Sequence, residues 1–199
     1  MTERFDEAYY RRHYFDPETR VSDPSSVARL GRFVASYLAY LDVEVERVLD
    51  FGCGVGHWQG LVQGLFGDVE YEGVEISAFL CERFGWTRGS VVDYEGEPAD
   101  LVVCQGVLQY LDDAEAEAAI ANLAAHTAQA LYLEALTARD WACAVDQSVT
   151  DGNVHLRSGA WYKERLAPHF ESCGGGLFVA RDADIVLYEL ESGDAPAQP

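Results

Sequence analysis

Positive charge is scarce in this chain: 14 Lys and Arg stand against 34 Asp and Glu over 199 residues, a formal net charge of −20. Such a surface repels phosphate backbones and anionic headgroups, so neither nucleic acid nor membrane is an expected partner. Most of that acidity is read as solubility of a crowded surface. Patterned cysteine is lacking too: Cys53, Cys81, Cys104, Cys143 and Cys173 are odd in number, with no C-x-x-C and no Cys/His cluster at metal spacing. Reduced structural thiols and no metal site are expected. No basic-then-apolar leader opens the sequence and no run of about eighteen apolar residues interrupts it, so the cytoplasm is the expected compartment. No internal repeat is visible. What remains, 49% hydrophobic and 24% charged residues, is the composition of one globular domain.

The richest stretch runs from Arg47 to Trp58. Val48, Leu49 and Phe51 form a short apolar run, followed by Gly52, Gly54 and Gly56 at alternate positions and then an amphipathic segment. That is a strand, a tight turn and a helix start, where the backbone can approach a nucleotide-like ligand and helix N–H groups stand free. A dinucleotide fingerprint would require glycine at position 57, which is histidine. Asp50, just before the glycines, would repel a pyrophosphate and welcome an ammonium group, so a zwitterionic amino-acid ligand suits the turn better.

Around this stretch helix and strand alternate. Asp23-Pro24 predicts an N-cap and first helical residue, and Val27, Leu30, Phe33, Val34, Tyr37, Leu38 and Leu41 make one apolar stripe. Strands are predicted over 69–76, 86–92, 99–104 and 130–136, and helices after Trp58, from Ser77, from Asp112 to His126, and over 156–170. His126 reads as a structural histidine at a helix C-terminus. A closing hairpin is expected from strands at 173–180 and 185–190, joined at 181–184, with a disordered tail at 191–199. Such alternation argues a doubly wound α/β domain over 23–190, preceded by an arm or lid of residues 1–22. Glu75, at the end of the second strand some twenty residues after the glycine turn, is placed where a ribose diol would be held.

The segment 48–58 resembles motif I of the class I S-adenosylmethionine-dependent methyltransferases, acid-x-Gly-x-Gly-x-Gly; Gly73–Ser77 and Ala99–Leu111 are similar to later parts of that family's pattern. The resemblance implies a Rossmann-like seven-stranded sheet in the order 3-2-1-4-5-7-6, its last strand antiparallel, with helices on both faces. It implies S-adenosylmethionine as cofactor, S-adenosylhomocysteine as product, and a cofactor site of Asp50, Gly52, Cys53, Gly54, Gly56, Trp58, Glu75, Ile76, Ser90, Val91, Asp93, Gln105, Gly106 and Val107. Where the family has an acid for the adenine amine, this chain offers Ser90 in register and Asp93 three residues later. Tyr9, Tyr14, Gln109, Tyr110, Trp141 and Trp161 are candidates for the acceptor wall, within a decorated segment 137–162, and Tyr10 joins Tyr9 and Tyr14 as lid residues.

Methyl transfer needs mostly in-line placement, so a general base is optional; His13, Glu134 and His155 are the available ones. The expected acceptor is a small molecule, with peptide or protein open. An aminopropyltransferase or a non-catalytic binding module on the same fold are the alternatives.

Overall fold

The computed structural model describes residues 4–16, 18, 19 and 24–192. Seven strands form one sheet: β1 (Arg47–Phe51), β2 (Glu70–Glu75), β3 (Thr87–Arg88), β4 (Ala99–Gln105), β5 (Thr127–Glu134), β6 (Phe170–Gly174) and β7 (Leu177–Ala180). Their order is β3-β2-β1-β4-β5-β7-β6. The first five are mutually parallel, and β7 runs antiparallel to both β5 and β6. This is the sheet that the alternation and the family resemblance imply.

The central strands are apolar on both faces because helices cover both. Leu49, Phe51, Val102, Cys104 and Leu131 face a layer containing α5 (Asp113–His126) and α7 (Gly159–Leu166). Val48, Leu101 and Val103 face α2 (Pro24–Tyr40) and α3 (His57–Phe66). On α2 the stripe is real at Val34 and Leu38, both fully buried, but Phe33 lies 41% exposed beside the Gly175 turn. The Asp23 cap falls outside the described residues.

The expected caps form at α4 (Ala78–Phe84), where Ser77 Oγ accepts from Leu80 N, and at α5, where Asp112 and Glu115 make a capping box. His126 closes α5 with Nδ1 2.8 Å from the Asn122 carbonyl, as a structural residue does.

Four elements differ from the sequence expectation, the fifth strand by running over Thr127–Glu134 instead of 130–136. The third strand shrinks to Thr87–Arg88, since residues 91–93 curl into a turn in which Asp93 N bonds the Ser90 carbonyl. The helix expected over 156–170 begins only at Gly159, because Ser158 Oγ caps Trp161 N, and ends at Leu166. The closing hairpin sits earlier: its strands are 170–174 and 177–180, and residues 185–190 lie outside the sheet with Val186, Tyr188 and Leu190 exposed. The reason is the glycine run 174–176, read from sequence as part of a strand, whose three residues all take positive φ and so reverse the chain. At Gly176 (φ +82°) a Cβ would also stand 2.9 Å from the Leu133 carbonyl oxygen. Gly176→Ala is therefore expected to cost about 1–3 kcal/mol of stability, measured by denaturant unfolding, through strain at the β5–β7 seam.

The expected tail begins with Glu191, which accepts from the Tyr40 hydroxyl and from Tyr188 N; residues 193–199 lie outside the described residues. Among the described residues no helix is long and apolar enough to cross a membrane, and no group of metal-binding side chains occurs.

Candidate active site

The carboxyl ends of β1, β2, β4 and β5 open into two adjoining cavities of about 490 and 90 Å³. Tyr9, Tyr14, Gly52, Gly54, Gln105, Gly106 and Tyr110 line both, so the two form one crevice with a waist.

Glycine 52 shapes this crevice directly. Its φ is +66°, and a Cβ there would meet Val107 Cγ2 at 2.4 Å, so only hydrogen lets the β1 turn and the β4 turn come this close. Across from it stands Glu75, 3% exposed. Its Oε2 accepts from Gly54 N (3.0 Å), and its Oε1 from Ser77 N (2.9 Å) and, across 3.4 Å, from the Tyr10 hydroxyl. Burial pushes the Glu75 carboxyl up, against the downward pull of the backbone donors. Asp50, 2% exposed, accepts from the Tyr71 hydroxyl at 2.6 Å. Burial, with a smaller contribution from Glu75, drives its pKa up to about 7 although Tyr71 opposes the shift.

The larger cavity has a polar rail. Trp58 Nε1 donates to Gln105 Oε1 (3.0 Å), Gln105 Nε2 donates to Glu134 Oε2 (3.2 Å), and the Tyr132 hydroxyl donates to the same oxygen (3.0 Å). Gln109 is clipped in place: its amide donates to the Gly106 carbonyl and accepts from Leu136 N, while its own carbonyl accepts from His155 N.

Over the waist lies an aromatic arm. Helix α1 (Glu7–Tyr10) runs on into a wider π-helical turn, Arg11–Phe15, bringing Tyr9, Tyr10, His13 and Tyr14 inward. It is fastened by Ser77 Oγ donating to the Phe5 carbonyl (2.6 Å), by the Tyr9 and Tyr110 hydroxyls (2.9 Å apart), and by the Arg4–Asp151 ion pair (2.7 Å). Burial pushes the Tyr9, Tyr10 and Tyr14 phenols up, so they stay neutral and serve as aromatic walls with hydroxyl tips. His13 is 8% exposed, and its Nδ1 has no hydrogen-bond partner among the described residues.

Most residues singled out in the sequence meet here. Asp50, Gly52, Cys53, Gly54, Trp58, Gln105, Gly106, Gln109, Tyr110, Tyr9, His13, Tyr14 and Glu134 line the larger cavity; Glu75, Ile76, Ser90, Val91 and Val107 line the smaller. Five are not brought to the crevice. Gly56 serves at the N-cap of α3, and Asp93 is exposed on the turn after Val91, whereas Ser90 lines the smaller cavity. His155 is exposed, Trp141 lies over Gly152, and Trp161 packs against the Arg157 and Arg165 guanidiniums. Segment 137–162 does reach the larger cavity, but through Asp140, Ala144, Val145, Thr150 and Asp151. The signal missed there is Thr137-x-x-Asp140, a capping box that begins helix α6 (Ala138–Cys143). Tyr71, the partner of Asp50, carried no local signal, since its role depends on strand pairing.

A family model described as a methyltransferase domain matches residues 21–171. Proteins with curated descriptions yield no match. Among solved structures, the sugar N-methyltransferase KedS8 from Streptoalloteichus sp. ATCC 53650 is similar at 19% identity and a TM-score of 0.61, covering 84% of this chain and 91% of that one. The amino pentose methyltransferase CalS10 from Micromonospora echinaspora, solved with S-adenosylmethionine bound, is 20% identical with a TM-score of 0.57, covering 87% and 94%. Magnesium protoporphyrin IX methyltransferase from Synechocystis PCC 6803 is 17% identical with a TM-score of 0.59, covering 90% and 95%. With its glycine turn, its acid at the end of β2 and its 3-2-1-4-5-7-6 sheet, the chain belongs to the methyltransferase-domain family and is built on the class I fold of the S-adenosylmethionine-dependent methyltransferases.

Proposed function

We propose that the chain moves the methyl group of S-adenosylmethionine to a small-molecule acceptor by in-line displacement, with the nucleoside in the smaller cavity and the acceptor in the larger. The observation carrying this is the waist: residues shared by both cavities are where donor and acceptor would meet. In this reading Gly52 and Gly54 give the close backbone approach and Asp50 faces the amino-acid ammonium. Glu75 takes the ribose hydroxyls, displacing the stretched Tyr10 bond, and Ser90, Ile76 and Val91 surround the base. When bound, the cofactor supplies a methyl group on a sulfonium; the chain's own contribution is orientation, exclusion of water under the arm, and neutral aromatic faces that tolerate the cation.

Residues 1–22 act as the lid and 23–190 as the domain, with the cytoplasm as the compartment that fits an acidic protein of this kind. A small molecule fits a cavity of about 490 Å³ better than a peptide or protein does.

Calorimetric titration with S-adenosylmethionine tests the reading; micromolar-range affinity is expected, as for metabolite ligands generally. The Asp50 carboxyl, with its pKa near 7, adds a sign. The empty protein carries Asp50 largely protonated below that value, whereas an ammonium partner favours the ionised form. Affinity should therefore rise from about pH 5.5 to about 7, where an α-amino group with a pKa of about 7.7–8.0 is still mostly protonated. Asp50→Asn should flatten the dependence. Equal affinity at both pH values in the wild type would remove Asp50 from the cofactor site.

A further inference from the structure

Trp86, just before β3, is buried and lies outside both cavities, yet it reaches the supports of both carboxylates assigned above to the cofactor. Its indole Nε1 donates to the Gly54 carbonyl (2.9 Å). The N–H of that same glycine ends on Glu75 Oε2 (3.0 Å), so the peptide units on either side of Gly54 are each held by one side chain. Edge on, the Trp86 ring stands 6.1 Å, centre to centre, from that of Tyr71, whose hydroxyl donates to Asp50.

The backbone makes room for this ring on two sides. A Cβ at Gly56 would stand 2.7 Å from Trp86 Cζ2, and one at Gly73 would stand 2.9 Å from Cε3, so the turn and β2 both carry only hydrogen where the indole lies. A purely apolar ring would fill this space as well. The indole adds one directed donor, and that donor falls on the turn.

A glycine-rich turn is the least restrained kind of backbone, and Gly54 lines both cavities. Left unpinned, either peptide beside it would turn over in the empty protein and carry the Gly54 N–H away from Glu75. Each such form must be undone before a ligand is gripped, and affinity falls with the fraction of molecules in the competent form.

We propose that Trp86 is a positioning residue for the cofactor: its indole N–H holds the Gly54 peptide in the binding conformation, and its ring steadies Tyr71 against Asp50. This rests on the methyl-transfer reading above. Trp86 touches no ligand in this account and acts through Gly54 and Tyr71.

The test removes the donor and keeps the ring. Benzothienylalanine, placed at position 86 of the full chain, has the shape of tryptophan with sulfur in place of the N–H. Its calorimetric affinity for S-adenosylhomocysteine should be about fivefold weaker than wild type, the size of one net hydrogen bond, and Trp86→Phe should lose at least as much. Leu166→Ala, a buried position on α7, is the control for stability alone: it should lower the unfolding midpoint and leave affinity within about twofold. Reciprocity supplies a spectroscopic readout. If the indole bond favours the ligand, the ligand favours the indole bond by the same factor. The Trp86 indole proton, identified by its loss in Trp86→Phe, should therefore exchange with solvent at least about fivefold more slowly in the complex. Wild-type affinity in the benzothienylalanine protein, an equal loss of affinity in Leu166→Ala, or indole exchange unmoved by the ligand would each overturn the proposal. Failure of the wild-type protein to bind S-adenosylhomocysteine would instead overturn the methyl-transfer reading.

Discussion

Glu75→Ala is expected to weaken S-adenosylmethionine binding at least about tenfold, and with it the stability of the empty protein by about 2–4 kcal/mol. The first effect follows from losing a charged acceptor for ribose hydroxyls, a bond class worth about 1.5–3 kcal/mol. The second follows from the donors left behind: Gly54 N, Ser77 N and the Tyr10 hydroxyl all end on this carboxylate. Tyr10→Phe separates the two effects. It leaves Glu75 and its backbone bonds in place but frees the oxygen reached across 3.4 Å, so affinity should hold or improve slightly. Calorimetry on the three proteins, beside denaturant unfolding of each, gives both quantities. Unchanged affinity in Glu75→Ala would break the ribose assignment even if stability falls.

Arg157→Ala is the second large effect, and it acts away from both cavities. The Arg157 side chain, 5% exposed, donates to the Leu108 carbonyl (3.0 Å), the Leu111 carbonyl (2.6 Å) and Asp113 (2.8 Å), and packs 4.7 Å from the centre of the Trp161 ring. Those carbonyls bracket the short 3-10 turn Leu108–Tyr110, which sets Gln109 and Tyr110 into the crevice. Truncation leaves the Leu111 carbonyl unpaired and the Leu108 carbonyl with only the Leu111 N bond at 3.3 Å, and with the lost packing on Trp161 a loss of roughly 3 kcal/mol is expected, a fall in Tm of about 6–12 °C for a chain of this size. Asp113 is largely exposed and loses little. Arg157→Lys keeps the charge but not the planar fork, so it should recover less than half of the loss. Thermal unfolding of the three proteins checks this, and a Tm change under about 2 °C in Arg157→Ala would show the turn to be held by other means.

How far the sequence reached depended on the range of each interaction. The glycine turn at 52–56, the caps at Ser77 and Asp112, and the apolar run of β4 are written in neighbouring residues and were legible. Glu75 was legible because its place at the end of β2 is fixed by the length of one β-α-β unit. The hairpin was misplaced because Gly174-Gly-Gly beside an apolar run satisfies a strand pattern equally well, and only the positive φ at all three residues turns the chain there. Trp141 and Trp161 looked like wall residues by type alone. Their side chains are claimed by Gly152 and by two arginines, contacts that no spacing rule encodes. Asp140 and Asp151 went the other way, reaching the cavity because α6 and the loop after it line it beside the end of β5.

The aromatic arm has a consequence for the timing of turnover. Tyr9 and Tyr14 wall both chambers, and Tyr10 holds the carboxylate that the sugar would claim. On the proposed reading, the same handful of side chains would part before a spent nucleoside leaves and regroup before the next partner is gripped, which would couple emptying one chamber to dismantling the other. An enzyme covered in this way would set its pace by the movement of the arm rather than by the chemistry beneath it.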